Sequence, residues 1–243
     1  MNTFLFVLLA LFNTTEPKED SHKKDAAKPF VIVELFTSEG CSSCPSADRL
    51  LSQIVDNEYQ DAEVMGLSFH VDYWDYIGWK DPYADKRFSQ RQRTYAQKLK
   101  SYQVYTPQMI VNGRHEFVGS NQRKWMQVYE VESTNKTNSE ISIVNTSIKG
   151  KSLQLDLAHQ LDNGHFINVA LVERELSQDV TRGENRGRKL RHDNVVRRFQ
   201  ILQIGQKSTT LNLEDVDLTK ASVIVYAQKN DNYEIVAADQ YKF

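Results

Sequence analysis

The chain has two cysteines, three residues apart in Cys41-Ser42-Ser43-Cys44, and the segments flanking them constrain the local fold more than any other feature. Ahead of them, residues 30–36 (FVIVELF) form a short apolar run rich in β-branched side chains, which reads as a buried strand. A polar turn, Thr37-Ser38-Glu39-Gly40, closes it. Behind the pair, Ala47, Leu50, Leu51, Ile54 and Val55 recur at i, i+3, i+4, i+7 and i+8, the spacing of an amphipathic helix. Residues 62–71 (AEVMGLSFHV) read as a second buried strand. A helix between two such strands predicts a βαβ unit with parallel pairing and a right-handed crossover.

This context gives the cysteines their chemistry. Unpaired N–H groups and the dipole in the first turn of a helix favour an anion, so a thiol there ionises readily and becomes nucleophilic. With two residues between them, the thiols reach bonding distance. Cys41 is expected to attack a substrate disulfide and the more buried Cys44 to resolve the mixed disulfide. The alternative is a structural disulfide, although so short a loop adds little chain-entropy stabilisation. Thr106-Pro107, about sixty-five residues on and directly before a strand, is the second signal. A proline with a cis bond before it turns neighbouring backbone toward a substrate.

Further along, residues 72–85 form a loop dense in Tyr and Trp, and Asp81-Pro82 reads as a helix start. Helical spacing runs through Phe88, Tyr95, Leu99 and Tyr102. Lys86, Arg87, Arg91, Arg93, Lys98 and Lys100 form its basic, solvated face. A strand at 108–112, a turn at Gly113, a partner strand at 116–118 and a helix at 122–131 complete the first part. Residues 133–140 (STNKTNSE) read as a linker. Seven strand-like runs follow, at 141–148, 153–161, 166–172, 195–204, 209–213, 222–227 and 233–238. Many short strands with turns between them argue for an antiparallel sandwich.

Taken together, strand, Cys-x-x-Cys helix, strand, helix, Thr-Pro, hairpin and helix resemble the thioredoxin fold. Longer motifs are more specific: residues 33–45 (VELFTSEGCSSCP), Tyr105-Thr106-Pro107-Gln108-Met109, residues 182–188 (RGENRGR) and 190–197 (LRHDNVVR). They resemble those of an uncharacterised secreted thioredoxin-like family, catalogued as a domain of unknown function, over nearly the whole chain after residue 28. The resemblance implies an α/β thioredoxin-like domain at 29–132 followed by an all-β antiparallel sandwich domain at 138–243. It implies no established activity. Similarity to thioredoxins in general matches Cys41 to the attacking cysteine, Cys44 to the resolving one and Pro107 to the cis-proline preceded by Thr106. It matches Glu34 to the buried acid that exchanges a proton with the resolving thiol.

The function this implies is thiol–disulfide exchange, with protein or small-molecule thiols and disulfides as partners. No cofactor is expected. A non-catalytic binding module stapled by its disulfide is the competing class. A Cu(I)-handling protein is a third reading, with Cys41, Cys44 and His70 as candidate ligands, although copper-handling relatives carry three residues between the cysteines rather than two. Between Arg182 and Arg198 lie seven basic residues (Arg182, Arg186, Arg188, Lys189, Arg191, Arg197 and Arg198) against Glu184 and Asp193. Anion binding, docking onto the first part of the chain and a solvated hairpin are all compatible with that motif.

Composition excludes other classes. Lys+Arg 30 against Asp+Glu 32 gives a net charge of −2, which does not indicate a nucleic-acid binder. The apolar run at residues 4–12 (FLFVLLALF) is too short for a stable membrane span but suits a signal-peptide core, with residues 1–28 as signal and linker. The expected location is therefore periplasmic or extracellular.

Overall fold

The computed structural model describes residues 28–101, 103–137 and 139–243. The expected signal segment lies outside these residues. Strand β1 (Phe30–Thr37) is followed by helix α1 (Cys44–Asp56) and strand β2 (Glu63–His70). The two strands pair in parallel, with Thr37 opposite His70. Pro45 occupies the first turn of α1, where a missing N–H costs little. Leu50, Leu51 and Ile54 bury the stripe read from the sequence. A short 3-10 turn at Asp72–Ile77 leads to helix α2 (Lys86–Lys98). That helix begins four residues later than Asp81-Pro82 suggests. Asp85 is its cap, accepting the Arg87 N–H at 2.8 Å, because the Asp81 carboxylate is engaged elsewhere. The hairpin of β3 (Gln108–Val111) and β4 (His115–Val118) and helix α3 (Gln122–Glu132) follow.

The second part contributes β5 (Ile141–Lys149), β6 (Ser152–His159), β7 (His165–Glu173), β8 (Leu176–Asp179), β9 (Lys189–His192), β10 (Val195–Gln203), β11 (Ser208–Asn212), β12 (Ala221–Lys229) and β13 (Ile235–Lys242). The expected architecture, an α/β thioredoxin-like domain followed by an all-β antiparallel sandwich domain, is overturned here. Strands of both parts form one mixed eight-stranded sheet, in the order β13-β12-β7-β10-β2-β1-β3-β4. Among the described residues, thirteen strands outnumber three α-helices, and the molecule is mostly β. The physical reason lies at the edge of β2. A βαβ unit and hairpin alone would leave a row of backbone groups there unpaired. β10 covers that edge in parallel, with Val195 opposite Ser68, and the Ser68 N–H donates to the Asn194 carbonyl at 2.8 Å.

A three-stranded sheet, β11-β6-β5, packs Leu153, Leu155 and Leu157 on Ile167, Val169, Leu171, Val223 and Val225. α1 and α3 pack on Val31, Val33 and Leu35, and α2 covers the opposite face around Ile32, Phe36, Met65, Leu67 and Tyr226. Arg91, expected on a solvated face, is instead buried on the α2 side. Its guanidinium bonds Glu34 at 2.7 and 2.9 Å and reaches the Tyr226 hydroxyl and the Gln228 side chain. No helix among the described residues is long and apolar enough to cross a membrane.

Candidate active site

α1 opens on the cysteine pair. The Cys41 N–H donates to the Ser38 carbonyl and the Cys44 N–H to the Cys41 carbonyl, each at 3.2 Å, so the loop winds directly into the helix. Cys41 and Cys44 are joined as a disulfide with a Cα–Cα separation of 5.4 Å. Only the serines between them face solvent. Cys41 is 1% and Cys44 0% exposed.

Three segments close over the pair. The Asp72–Ile77 turn packs on Gly40, where an added Cβ would come within 2.9 Å of the Trp74 Cβ. The Thr106–Pro107 bond is cis, and the Thr106 hydroxyl accepts the Trp74 indole N–H at 2.7 Å. Pro107 lies beside the first turn of α1: a Cβ at Gly119 would meet Leu35, Ala47 and Pro107 together. The third cover is the basic motif. It docks onto the first part of the chain as a strap between β8 and β9. The buried Asn185 amide donates to the carbonyls of Glu39 (2.8 Å) and Cys41 (2.9 Å), and the Ser42 N–H donates to a Glu184 carboxylate oxygen at 2.9 Å. Gly183, at φ +72°, fits against Ile77 and Trp79 where a side chain would be strained and crowded.

An acid–imidazole cluster lies on the α1 side of the sheet. Asp48 stands one helical turn after Cys44 and accepts the Thr37 hydroxyl at 2.8 Å. His192 Nδ1 is 3.6 Å from the other Asp48 oxygen, and its Nε2 is 3.1 Å from Glu39. Glu39 also accepts the Trp79 indole N–H at 2.8 Å. His70 Nδ1 meets Asp81 at 2.7 Å, and the two imidazole centroids are 4.8 Å apart. Asp81 accepts the backbone N–H groups of Glu39 and Tyr83 as well. All five titratable groups are buried. Burial raises the Asp48 carboxyl above the ordinary carboxylate range, against the pull of His192 and His70. Burial alone would depress His70, but the Asp81 charge and hydrogen bond outweigh it and raise the imidazole. Burial works to raise Asp81, yet His70 and the two backbone donors hold it low.

The structure thus brings Cys41, Cys44, Thr106 and Pro107 to one end of the sheet and places His70 on their side of it. Glu34 is elsewhere: alternation along β1 turns it to the α2 face, where Arg91 and the Tyr95 and Tyr226 hydroxyls surround it. Among the described residues no group of three His, Cys, Asp or Glu has the geometry to hold a metal ion. Sequence reading missed Asp48, Glu39, Asp81 and His192 as a cluster, and Glu184 and Asn185 as a cover. One signal was available: an acid on the buried stripe of α1, four residues after Cys44.

Residues 32–228 match the model of a family described as protein of unknown function (DUF1223). The crystal structure of protein AGR_C_4864 from Agrobacterium tumefaciens is similar at 31% identity and a TM-score of 0.63, over 89% of this chain and 95% of that one. HBP35 of Porphyromonas gingivalis has a similar fold at 14% identity and a TM-score of 0.63, over 89% of this chain and 76% of that one. Among curated proteins, none matches.

Proposed function

This chain belongs to the DUF1223 family, and from a cysteine pair joined at the head of α1 we propose that it is a thiol–disulfide oxidoreductase. The observation that carries the reading is the position of the disulfide. Cys41 directly precedes the first turn of α1, where the helix dipole stabilises a thiolate, and Cys44 begins the buried face of the helix. In the reductive direction a partner thiolate attacks the Cys41 sulfur. The S–S bond breaks and its electron pair leaves on Cys44. The Cys44 thiolate then takes a proton, for which Asp48 is placed one turn on. A second partner thiolate attacks the partner's sulfur in the mixed disulfide, frees Cys41 as a thiolate and leaves the partner oxidised. The reverse sequence oxidises a dithiol substrate. An oxidising compartment suits either direction, and the apolar run at residues 4–12 supports export.

The burial of both sulfurs favours a second reading, a structural staple. The reduction potential of the pair separates them. An exchange-active pair is expected between about −120 and −270 mV, whereas a value below about −300 mV marks a structural disulfide and overturns the proposal.

A further inference from the structure

The strap between β8 and β9 grips one peptide group from both ends. Asn185 donates to the Cys41 carbonyl, and Glu184 accepts the N–H of Ser42, the other end of the same Cys41–Ser42 peptide. The strap is itself a built turn. The Gly187 N–H donates to the Val180 carbonyl at 2.8 Å, the Arg188 N–H to the Asn185 carbonyl at 3.0 Å, and the Arg188 guanidinium holds the Asn185 side-chain oxygen at 3.0 Å. With the strap seated, Cys41 is sealed and no partner sulfur reaches it.

The seat is also selective for charge. A disulfide carries none, so the Glu184 carboxylate rests on the Ser42 N–H, one residue from Cys41, without penalty. A Cys41 thiolate would place a second negative charge next to that carboxylate, competing for the same helix N-terminus. Arg182, Arg186 and Arg188 lie on the strap too and, like Glu184, are exposed, but of these charged side chains Glu184 is the one bonded to the Cys41–Ser42 peptide.

We propose that residues 182–188 form a redox-linked latch, closed over the Cys41–Cys44 disulfide and released when Cys41 becomes a thiolate. Glu184 is the positioning residue that senses the charge, and Asn185 is the one that holds the latch shut. The proposal rests on the exchange reading above. It gives that site a regulation: the oxidised pair is sheltered until the strap lifts, and the reduced pair stays open to substrate.

Amide hydrogen exchange of the full chain, oxidised and then reduced with a phosphine, tests it. In the wild type, the Ser42 N–H and residues 182–188 are expected to exchange at least about tenfold faster after reduction, the worth of roughly one charge-assisted hydrogen bond. Glu184→Gln, at an exposed side chain, is expected to shrink that contrast to within roughly threefold, since a neutral amide gains nothing when the charge appears. Asn185→Ala is expected to speed reduction of the disulfide by a small thiol about tenfold. Equal exchange in the two redox states, or an undiminished contrast in Glu184→Gln, overturns the latch. Should Asn185→Ala fail to fold, the wild type and Glu184→Gln decide the matter alone. The exchange reading fails separately: a latch that responds to phosphine reduction while the potential lies below about −300 mV leaves the latch standing and removes the oxidoreductase.

Discussion

At the scale of single residues, the cluster around His70 makes stability depend on pH in a definite direction. A histidine whose pKa is raised by folding stabilises the native state fully below the unfolded value of 6.5 and loses that contribution as pH climbs through the folded value. Asp81, held below its ordinary 3.8, does the opposite: it stabilises above 3.8 and loses that as pH falls through its folded value. Asp48, raised by burial, adds a contribution that is greatest below 3.8 and fades as pH rises. The unfolding free energy is therefore expected to decline from pH 6.5 upward, by about 1.4 kcal/mol for each unit by which folding raises the His70 pKa, and the melting temperature falls with it. His70→Gln should flatten that alkaline decline and weaken the acid limb as well, since His70 is the main group holding Asp81 low. A variant with the wild-type alkaline slope would show that His70 does not carry it.

At the scale of elements, the turn before β10 bears more than its length suggests. Asn194 adopts φ +52°, passes its carbonyl to Ser68, and donates its side-chain amide to the Gly66 carbonyl at 2.8 Å. Asparagine tolerates the left-handed region better than most residues and here also satisfies a buried acceptor. Asn194→Ala is expected to cost about 1–3 kcal/mol in denaturant unfolding, because the Gly66 carbonyl loses its partner and the backbone is strained. A loss under roughly 0.5 kcal/mol, the range of an ordinary surface change, would show that this joint is unimportant.

Elements differ in how far they could be read from sequence. β1, α1 and β2 announce themselves because period and burial coincide, and the seven later runs were legible as strands for the same reason. β8 and β9 were not: Leu-Ser-Gln-Asp and Lys-Leu-Arg-His carry too few apolar residues to show a period. Pairing partners were illegible as well, since the contact of β10 with β2 is made across a separation that leaves no local pattern. The candidate site divides similarly. Cys41, Cys44 and the Thr106-Pro107 pair have fixed local spellings. Glu39, Asp48, Asp81 and His192 look like surface residues until the fold brings them together. Glu34 was drawn to the wrong face because strand parity, not distance from Cys41, decides where it points.

At the scale of the whole molecule, the sheet, the Tyr226–Glu34 and Arg91–Gln228 contacts and the Asn185 contacts join the two parts of the chain through buried groups. Far-ultraviolet circular dichroism and tryptophan fluorescence are expected to report one coincident unfolding transition, because the three tryptophans all lie before residue 126 while most strands lie after it. Two separated transitions would mean that the halves hold together only loosely.

The long reach between β2 and β10 also sets a schedule. Gly66 and Asn194 are 128 residues apart in the chain. At a typical pace of synthesis, a ribosome needs roughly 6 to 26 s to cover that interval. Throughout it, one side of β2 has no native neighbour, and the apolar stretch Met65–Phe69 stands at an open border. The nascent first half is thus a client for whatever guards unfinished chains. The last stages of translation do not append a second module so much as deliver the strand that the first has been waiting for.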